Sequence, residues 1–168
     1  NTPVPNNPQS TLTPMVSSMP SASDLLGDRR RVLVTGGAGF IGGAVVRRLL
    51  RETTVTVFNL DKMGYASDLS SIEEVLSELG GAANDRHRLQ KVDLTDAAAV
   101  EAAVREADPD LVMHLAAESH VDRSISGPGV FIESNVNGTY NLLQAVRGHY
   151  EGLSGERRDG FRMHHIST

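Results

Sequence analysis

The run Gly36-Gly37-Ala38-Gly39-Phe40-Ile41-Gly42 is the part of this sequence best suited to chemistry. It satisfies two spacings together: Gly36, Gly39 and Gly42 lie three apart, and Gly37, Gly39 and Gly42 fit G-x-G-x-x-G. Glycine here lets the backbone turn sharply, approach a pyrophosphate with no Cβ in the way, and pack the next helix close to the preceding strand. The free amides and partial positive charge at the start of that helix, around Phe40 and Ile41, would face the phosphates. Asp61 follows Gly42 by 19 positions. A carboxylate there suits the hydroxyls of an adenosine ribose and repels a 2′-phosphate, so the expected cofactor is NAD rather than NADP. Lys62 next door softens that preference. Asp93 reads either as a capping residue ahead of Thr95 or, with Leu94, as the border of an adenine pocket.

Strands and helices must alternate to bring these residues together, and the apolar pattern says that they do. Arg31–Thr35 (RVLVT) is a β-branched run ended by glycines, which suits a buried strand. Phe40–Arg51 carries Ile41, Ala44, Val45 and Leu49 at helical spacing, an apolar stripe to lie on the sheet. Thr54–Leu60 is the second strand. Leu69, Ile72, Leu76 and Leu79 mark a second helix closed by Gly80 and Gly81. Arg88–Val92 is the third strand, followed by a helix capped by Thr95 and stopped by Pro109. Leu111–Leu115 is the fourth strand, Phe131–Val146 a long helix and Phe161–Ile166 the fifth strand. The expected fold class is α/β: a Rossmann-type parallel sheet with helices on both faces, cut off after the fifth strand. The stripe Phe131, Val136, Leu143 and Val146 reads as core or dimer contact.

Composition narrows the partners. The chain has 168 residues, 39% apolar and 22% charged, with a net charge of -5. That balance argues against nucleic acid and anionic membrane surfaces. No apolar run approaches the roughly 20 residues needed to span a bilayer, so the expectation is a soluble, cytoplasmic protein with no nucleic-acid and no membrane partner. Cysteine is absent, which removes disulfides and thiolate metal ligands. His164 and His165 fall on opposite sides of a strand, so no metal site is expected. Residues 1–28 read as a disordered tail, Asn1 to Met19 being uncharged and rich in Pro, Ser, Thr and Asn. Residues 29–168 read as the folded, dinucleotide-binding domain.

The sequence resembles the extended short-chain dehydrogenase/reductases through Thr35 to Gly42 (TGGAGFIG). A narrower likeness, to the dTDP-glucose 4,6-dehydratase family, rests on His114 to Ile125 (HLAAESHVDRSI), Asp61-Lys62, Asn135 to Thr139 (NVNGT) and His164 to Thr168 (HHIST). It covers about Arg31 to Thr168. One departure is Gly64-Tyr65-Ala66-Ser67-Asp68, where the family often has Thr-Tyr-Ala-Gly-Asn. The resemblance implies NAD as cofactor, dTDP-glucose as substrate and a homodimer at full length. It implies backbone contacts from Gly36, Gly39, Phe40, Ile41 and Gly42 to the pyrophosphate. Asp61, Lys62, Met63 and Gly64 would surround the ribose, and Asp93 and Leu94 the adenine. Leu115, Ala116, Ala117 and Ser119 would line the nicotinamide side, and Ser134 would touch the cofactor. Glu118, Ser119, His120 and Arg123 would face the sugar nucleotide, with Thr168 as the catalytic residue near the hexose 4-hydroxyl. Read without the resemblance, Glu118, His120, Asp122 and Arg123 are a solvated loop or a ligand loop, and His114 is a core histidine or a catalyst.

The implied reaction is a lyase reaction within deoxysugar biosynthesis. The sugar is oxidised at C4, loses water across C5 and C6, and takes the hydride back at C6. In the family a Tyr-x-x-x-Lys pair and an Asp-Glu pair move the protons. Tyr65, Tyr140 and Tyr150 are followed four positions on by Leu69, Gln144 and Ser154, so these 168 residues contain no such Tyr-Lys pair. The Asp-Glu pair is expected just after Thr168. The chain by itself is therefore expected to be inactive, with an open sheet edge that favours aggregation. The alternatives are another sugar-nucleotide epimerase or decarboxylase, and a non-catalytic NAD-binding remnant.

Overall fold

The computed structural model of the chain describes residues 20–119, 125 and 127–167. Within them five parallel strands, β1 (Arg31–Thr35), β2 (Thr56–Asp61), β3 (His87–Lys91), β4 (Leu111–His114) and β5 (Arg162–His165), form one sheet in the order β3-β2-β1-β4-β5. This is the expected Rossmann winding. The strand order reverses at β1, and open α/β sheets bind ligands at such a switch point. The register pairs Thr35 with Leu60 on one side and with His114 on the other, so the loops leaving β1, β2 and β4 emerge along one edge.

Alternation along β1 explains both hydrophobic layers. Val32 and Val34 join Val57 on the face covered by α2 (Phe40–Glu52) and α3 (Ser70–Leu79). Leu33 joins Phe58, Leu60 and Val112 on the opposite face, under α5 (Ala97–Ala107) and the helix Gly138–Gly152. A strand buried on both sides must be apolar at consecutive positions, which is why RVLVT shows no polar alternation.

Several expected elements shift, each for a local reason. Part of the segment read as tail is helical: α1 (Ala22–Leu26) starts at a capping box between Ser21 and Asp24, and Leu26 is buried in the core. Residues 1–19 lie outside the described residues. On α2 the buried stripe is Gly42, Gly43, Val46, Leu49 and Leu50, while Ile41 and Ala44 are exposed. The helix is rotated because the glycine side, which packs closest, faces the sheet. Helix α5 is capped by Asp96, whose side chain accepts from the Ala99 amide at 3.0 Å, and not by Thr95. Gly80 ends α3 with φ +81°, yet Gly81 opens a short helix, α4 (Gly81–Asn84), in place of a loop. The long helix expected over Phe131–Val146 is three pieces: α6 (Pro128–Phe131), a π-helical stretch (Ile132–Asn137) and α7 (Gly138–Gly152). A last short helix, α8 (Gly155–Gly160), leads into β5. Among the described residues no helix is long and apolar enough to cross a membrane.

His114 ties three elements together. It is 1% exposed; its Nδ1 lies 2.6 Å from Thr35 Oγ1 on β1 and its Nε2 lies 2.9 Å from Thr139 Oγ1 on α7. A neutral ring donates through one nitrogen and accepts through the other, so both bonds are satisfied without charge. Of its two sequence readings, the structure shows the satisfied core histidine. Burial, helped by His165 with its ring centroid 5.0 Å away, pushes the His114 pKa down to about 4. A histidine held neutral in the fold stabilises it fully above its unfolded pKa and progressively less as pH falls. Stability is therefore expected to drop by about 3 kcal/mol as pH falls from roughly 6.5 to 4, at about 1.4 kcal/mol for each tenfold rise in proton concentration. Denaturant melts across that range should show the decline, and His114→Gln should flatten it.

Candidate functional site

The turn leaving β1 is built so that most of its glycines answer to the protein itself. A Cβ on Gly42 would lie 2.0 Å from the Gly36 carbonyl oxygen, and one on Gly37 would lie 2.1 Å from Asn59 Oδ1. Gly36 has φ +70°, and a Cβ there would meet the backbone of Ala116 at 2.7 Å. These contacts press the first turn of α2, β1 and the loop after β4 together. Gly39 differs. Among the described residues its close neighbour is the Gly36 carbonyl at 3.2 Å, which a methyl would meet with a small adjustment. Gly39 is also the N-cap of α2, where no side chain bonds the first-turn amides and no acidic residue follows. Phe40 and Ile41 stand exposed beside it. The result is an uncapped 13-residue helix start with an unobstructed backbone, the local condition for holding a phosphate.

Asp61 closes the far side. It is the last residue of β2, 7% exposed, and its carboxylate accepts from the Ala38 amide (3.1 Å), the Met63 amide (2.8 Å) and the Ser67 hydroxyl (2.7 Å). A carboxylate has about four lone-pair positions, so Asp61 fastens the glycine turn to the β2 loop and keeps capacity for one further donor. Met63 sits at φ +57°, a left-handed position for a non-glycine residue, and aims its amide back at Asp61. The sequence reading missed Ser67. It stands where the resembled family has glycine, and only its contact with Asp61 gives it a part in the site.

The loop after β4 forms the third wall. Asn135, within the π-helical stretch, clamps Glu118 at both backbone atoms: its Oδ1 accepts from the Glu118 amide (2.8 Å) and its Nδ2 donates to the Glu118 carbonyl (2.9 Å). A π-helical segment inside an α-helical run often marks a functional site. Lys62 Nζ reaches across from the β2 loop to Glu118 Oε1 at 2.5 Å. Thr35 Oγ1 accepts from the Ala116 amide, so the same hydroxyl that meets His114 also anchors this loop. Leu115, Ala116, Ala117 and Ser119 therefore lie on the same sheet edge as the glycine turn, and Ser134 is next to the clamping Asn135. Asp93 is exposed and accepts from the Thr95 amide and hydroxyl, while Leu94 is buried against Gly138 and its carbonyl accepts from Asn141. Asp93 thus closes a local turn, and Leu94 ties that loop to α7. His120, Arg123 and Thr168 lie outside the described residues. No cluster of three metal-ligating side chains occurs among the described residues.

The sheet order and the glycine turn at its switch point place the chain in the Rossmann class. Residues 33–168 match the family model described as GDP-mannose 4,6 dehydratase, and the chain belongs to that family. It is 50% identical over 139 residues to a dTDP-glucose 4,6-dehydratase of Neisseria meningitidis serogroup B, covering 83% of this chain and 38% of that protein. Among solved structures it resembles a dTDP-glucose 4,6-dehydratase of Streptomyces venezuelae determined with NAD bound: 40% identity, TM-score 0.62, 71% of this chain and 36% of the other. It also resembles a UDP-glucose 4-epimerase of Thermus thermophilus in complex with NAD, at 38% identity and TM-score 0.57 over 71% of this chain and 34% of that one. The chain thus spans less than two-fifths of the length of these relatives.

The glycine geometry makes a discriminating prediction. Gly42→Ala must displace the Gly36 carbonyl at 2.0 Å and is expected to cost about 3 kcal/mol or more. Gly39→Ala is expected to cost about 1 kcal/mol or less, mainly as a poorer N-cap. Thermal or denaturant unfolding of the two variants checks the contrast.

Proposed function

We propose that this chain is the NAD-holding part of a dTDP-glucose 4,6-dehydratase. The observation that carries the reading is Asp61, fixed at the end of β2 by the Ala38 amide and facing a glycine turn whose Gly39 the fold itself does not demand. The residues present fit a dinucleotide. The uncapped amides at Phe40 and Ile41 would take the pyrophosphate, with Gly36, Gly39 and Gly42 giving backbone access. Asp61 with Lys62, Met63 and Gly64 would hold the ribose, and Asp93 and Leu94 would border the adenine. Leu115, Ala116, Ala117, Ser119 and Ser134 would line the nicotinamide end. When bound, NAD supplies a hydride acceptor for the sugar's 4-hydroxyl and returns the hydride after water is lost.

The sugar nucleotide would be met by Glu118, Ser119, His120, Arg123 and Thr168, and dTDP-glucose is the substrate in the names of the two dehydratase relatives. The full-length protein is proposed to be a homodimer. Val136, Tyr140 and Leu143 follow helical spacing and are each about half exposed or more, an apolar stripe that self-association would cover. A second reading, a sugar-nucleotide epimerase, is favoured by the likeness to the UDP-glucose 4-epimerase. Preference for dTDP-glucose over UDP-glucose in the whole protein separates the two.

The chain is expected to bind NAD at a ratio near one, which calorimetric titration of the folded chain checks. Gly39→Ala should weaken NAD by about tenfold or more while the chain stays folded, since its methyl enters the space a pyrophosphate would occupy. A folded chain with no affinity for NAD would overturn the reading.

A further inference from the structure

Asp61 and Lys62 are adjacent and oppositely charged, and they have different partners. The Asp61 carboxylate accepts from the Ala38 amide of the glycine turn and, within its own loop, from the Met63 amide and the Ser67 hydroxyl. The Lys62 ammonium crosses to Glu118, which comes from the far side of the glycine turn, 56 residues later. Lys62 and Glu118 share the wall of a cleft of about 450 Å³ with Gly64 and Tyr65. The Glu118 side chain is only 13% exposed, against 39% for Lys62, and the Asn135 clamp fixes its backbone at both ends. The acceptor is therefore the held partner and the lysine the one that comes to it.

In Rossmann sites a carboxylate after the second strand takes the ribose 2′-hydroxyl of NAD, whereas a nearby arginine cation accommodates the 2′-phosphate of NADP. Lys62 occupies that place in the sequence. Left free, its flexible stem and compact charge would offer a dianionic phosphate a partner. Paired with Glu118 it offers none, and Asp61 leaves the cluster with a net charge of about -1, which repels a phosphate. We propose that Glu118 is a dinucleotide-selectivity residue: by holding Lys62 it keeps the cation beside Asp61 away from a ribose 2′-phosphate and makes the site select NAD over NADP. The inference rests on the reading that this cleft takes a dinucleotide. It gives Glu118 a role at the adenosine end of the site, in addition to the sugar side that the family resemblance implies.

The test measures dissociation constants for NAD and NADP on the chain and three variants at low ionic strength, where charge effects are least screened. Glu118→Gln keeps the shape and both backbone bonds to Asn135 and removes the charge. It is expected to raise the NADP-to-NAD affinity ratio by about tenfold, a change of roughly 1.4 kcal/mol. Adding Lys62→Met to Glu118→Gln should cancel that gain. Glu118→Asp, whose carboxylate stops one methylene short of Lys62, should give a smaller rise in the same direction and serves if Glu118→Gln does not fold. NAD binding by the unaltered chain together with an unchanged ratio in both Glu118 variants overturns the inference alone. A ratio that rises equally with Lys62→Met present also overturns it, since the lysine would then not be the agent. An unaltered, folded chain that binds neither dinucleotide overturns the site reading and the inference with it.

Discussion

The close approach of α2 to the end of β1 is the constraint on which the rest of this molecule depends. Gly42 sits where any side chain would collide with the Gly36 carbonyl, and Gly37 sits where one would collide with Asn59. Only at that distance can α2 lie flat enough for Val46, Leu49 and Leu50 to reach Val32 and Val34 on the sheet. The same closeness points the start of α2 at the switch point between β1 and β4, where the strand order reverses. A packing requirement and a ligand-binding geometry are met by one turn. Gly39 is the exception that separates them, because a Cβ there would meet the Gly36 carbonyl at 3.2 Å and asks of the described fold a small adjustment rather than a displacement.

Around that turn the polar groups are arranged in short, cross-linked circuits. Asp61 joins the turn to the β2 loop, Thr35 joins β1 to both His114 and the β4 loop, and Asn135 joins that loop to the π-helical stretch. Buried polar groups that are fully partnered in this way hold loops as firmly as apolar packing does, since breaking one bond strands a desolvated partner. The loops at the edge of the sheet are thereby given positions before any ligand arrives. Preorganisation of this kind reduces the ordering cost of binding. The Lys62–Glu118 pair is the more exposed link in the set, and it spans the gap between two loops.

Much of this was legible in the residues. The strand-helix alternation, the parallel sheet, the glycine turn and Asp61 at the end of the second strand all follow from spacing and apolar pattern. Errors in the reading came from places where neighbours outvoted local preference. Thr95 is an acceptable N-cap by type though a weaker one than Asp96, and the chain path from Asp93 turns its hydroxyl back toward that carboxylate. Ile41 and Ala44 fit an apolar stripe, but the glycines of the same helix pack closer and take the sheet-facing side. The break of the long helix at Ile132–Asn137 leaves no mark in composition, because a π-turn is set by what the helix must reach, here Glu118.

Composition, apolar period and glycine spacing by themselves determined the fold class, the order of the strands and main helices, and the place of the glycine turn and Asp61 along the sheet edge. These depend on short-range sterics and on which side chains avoid water, and both are written into neighbouring positions. The tertiary structure alone decided which polar groups meet: Ser67 with Asp61, Asn135 with the Glu118 backbone, and Glu118 with Lys62. The last two join residues far apart along the chain. Partners so distant are chosen by strand register and helix rotation, and those are fixed only when the two hydrophobic layers close on the sheet.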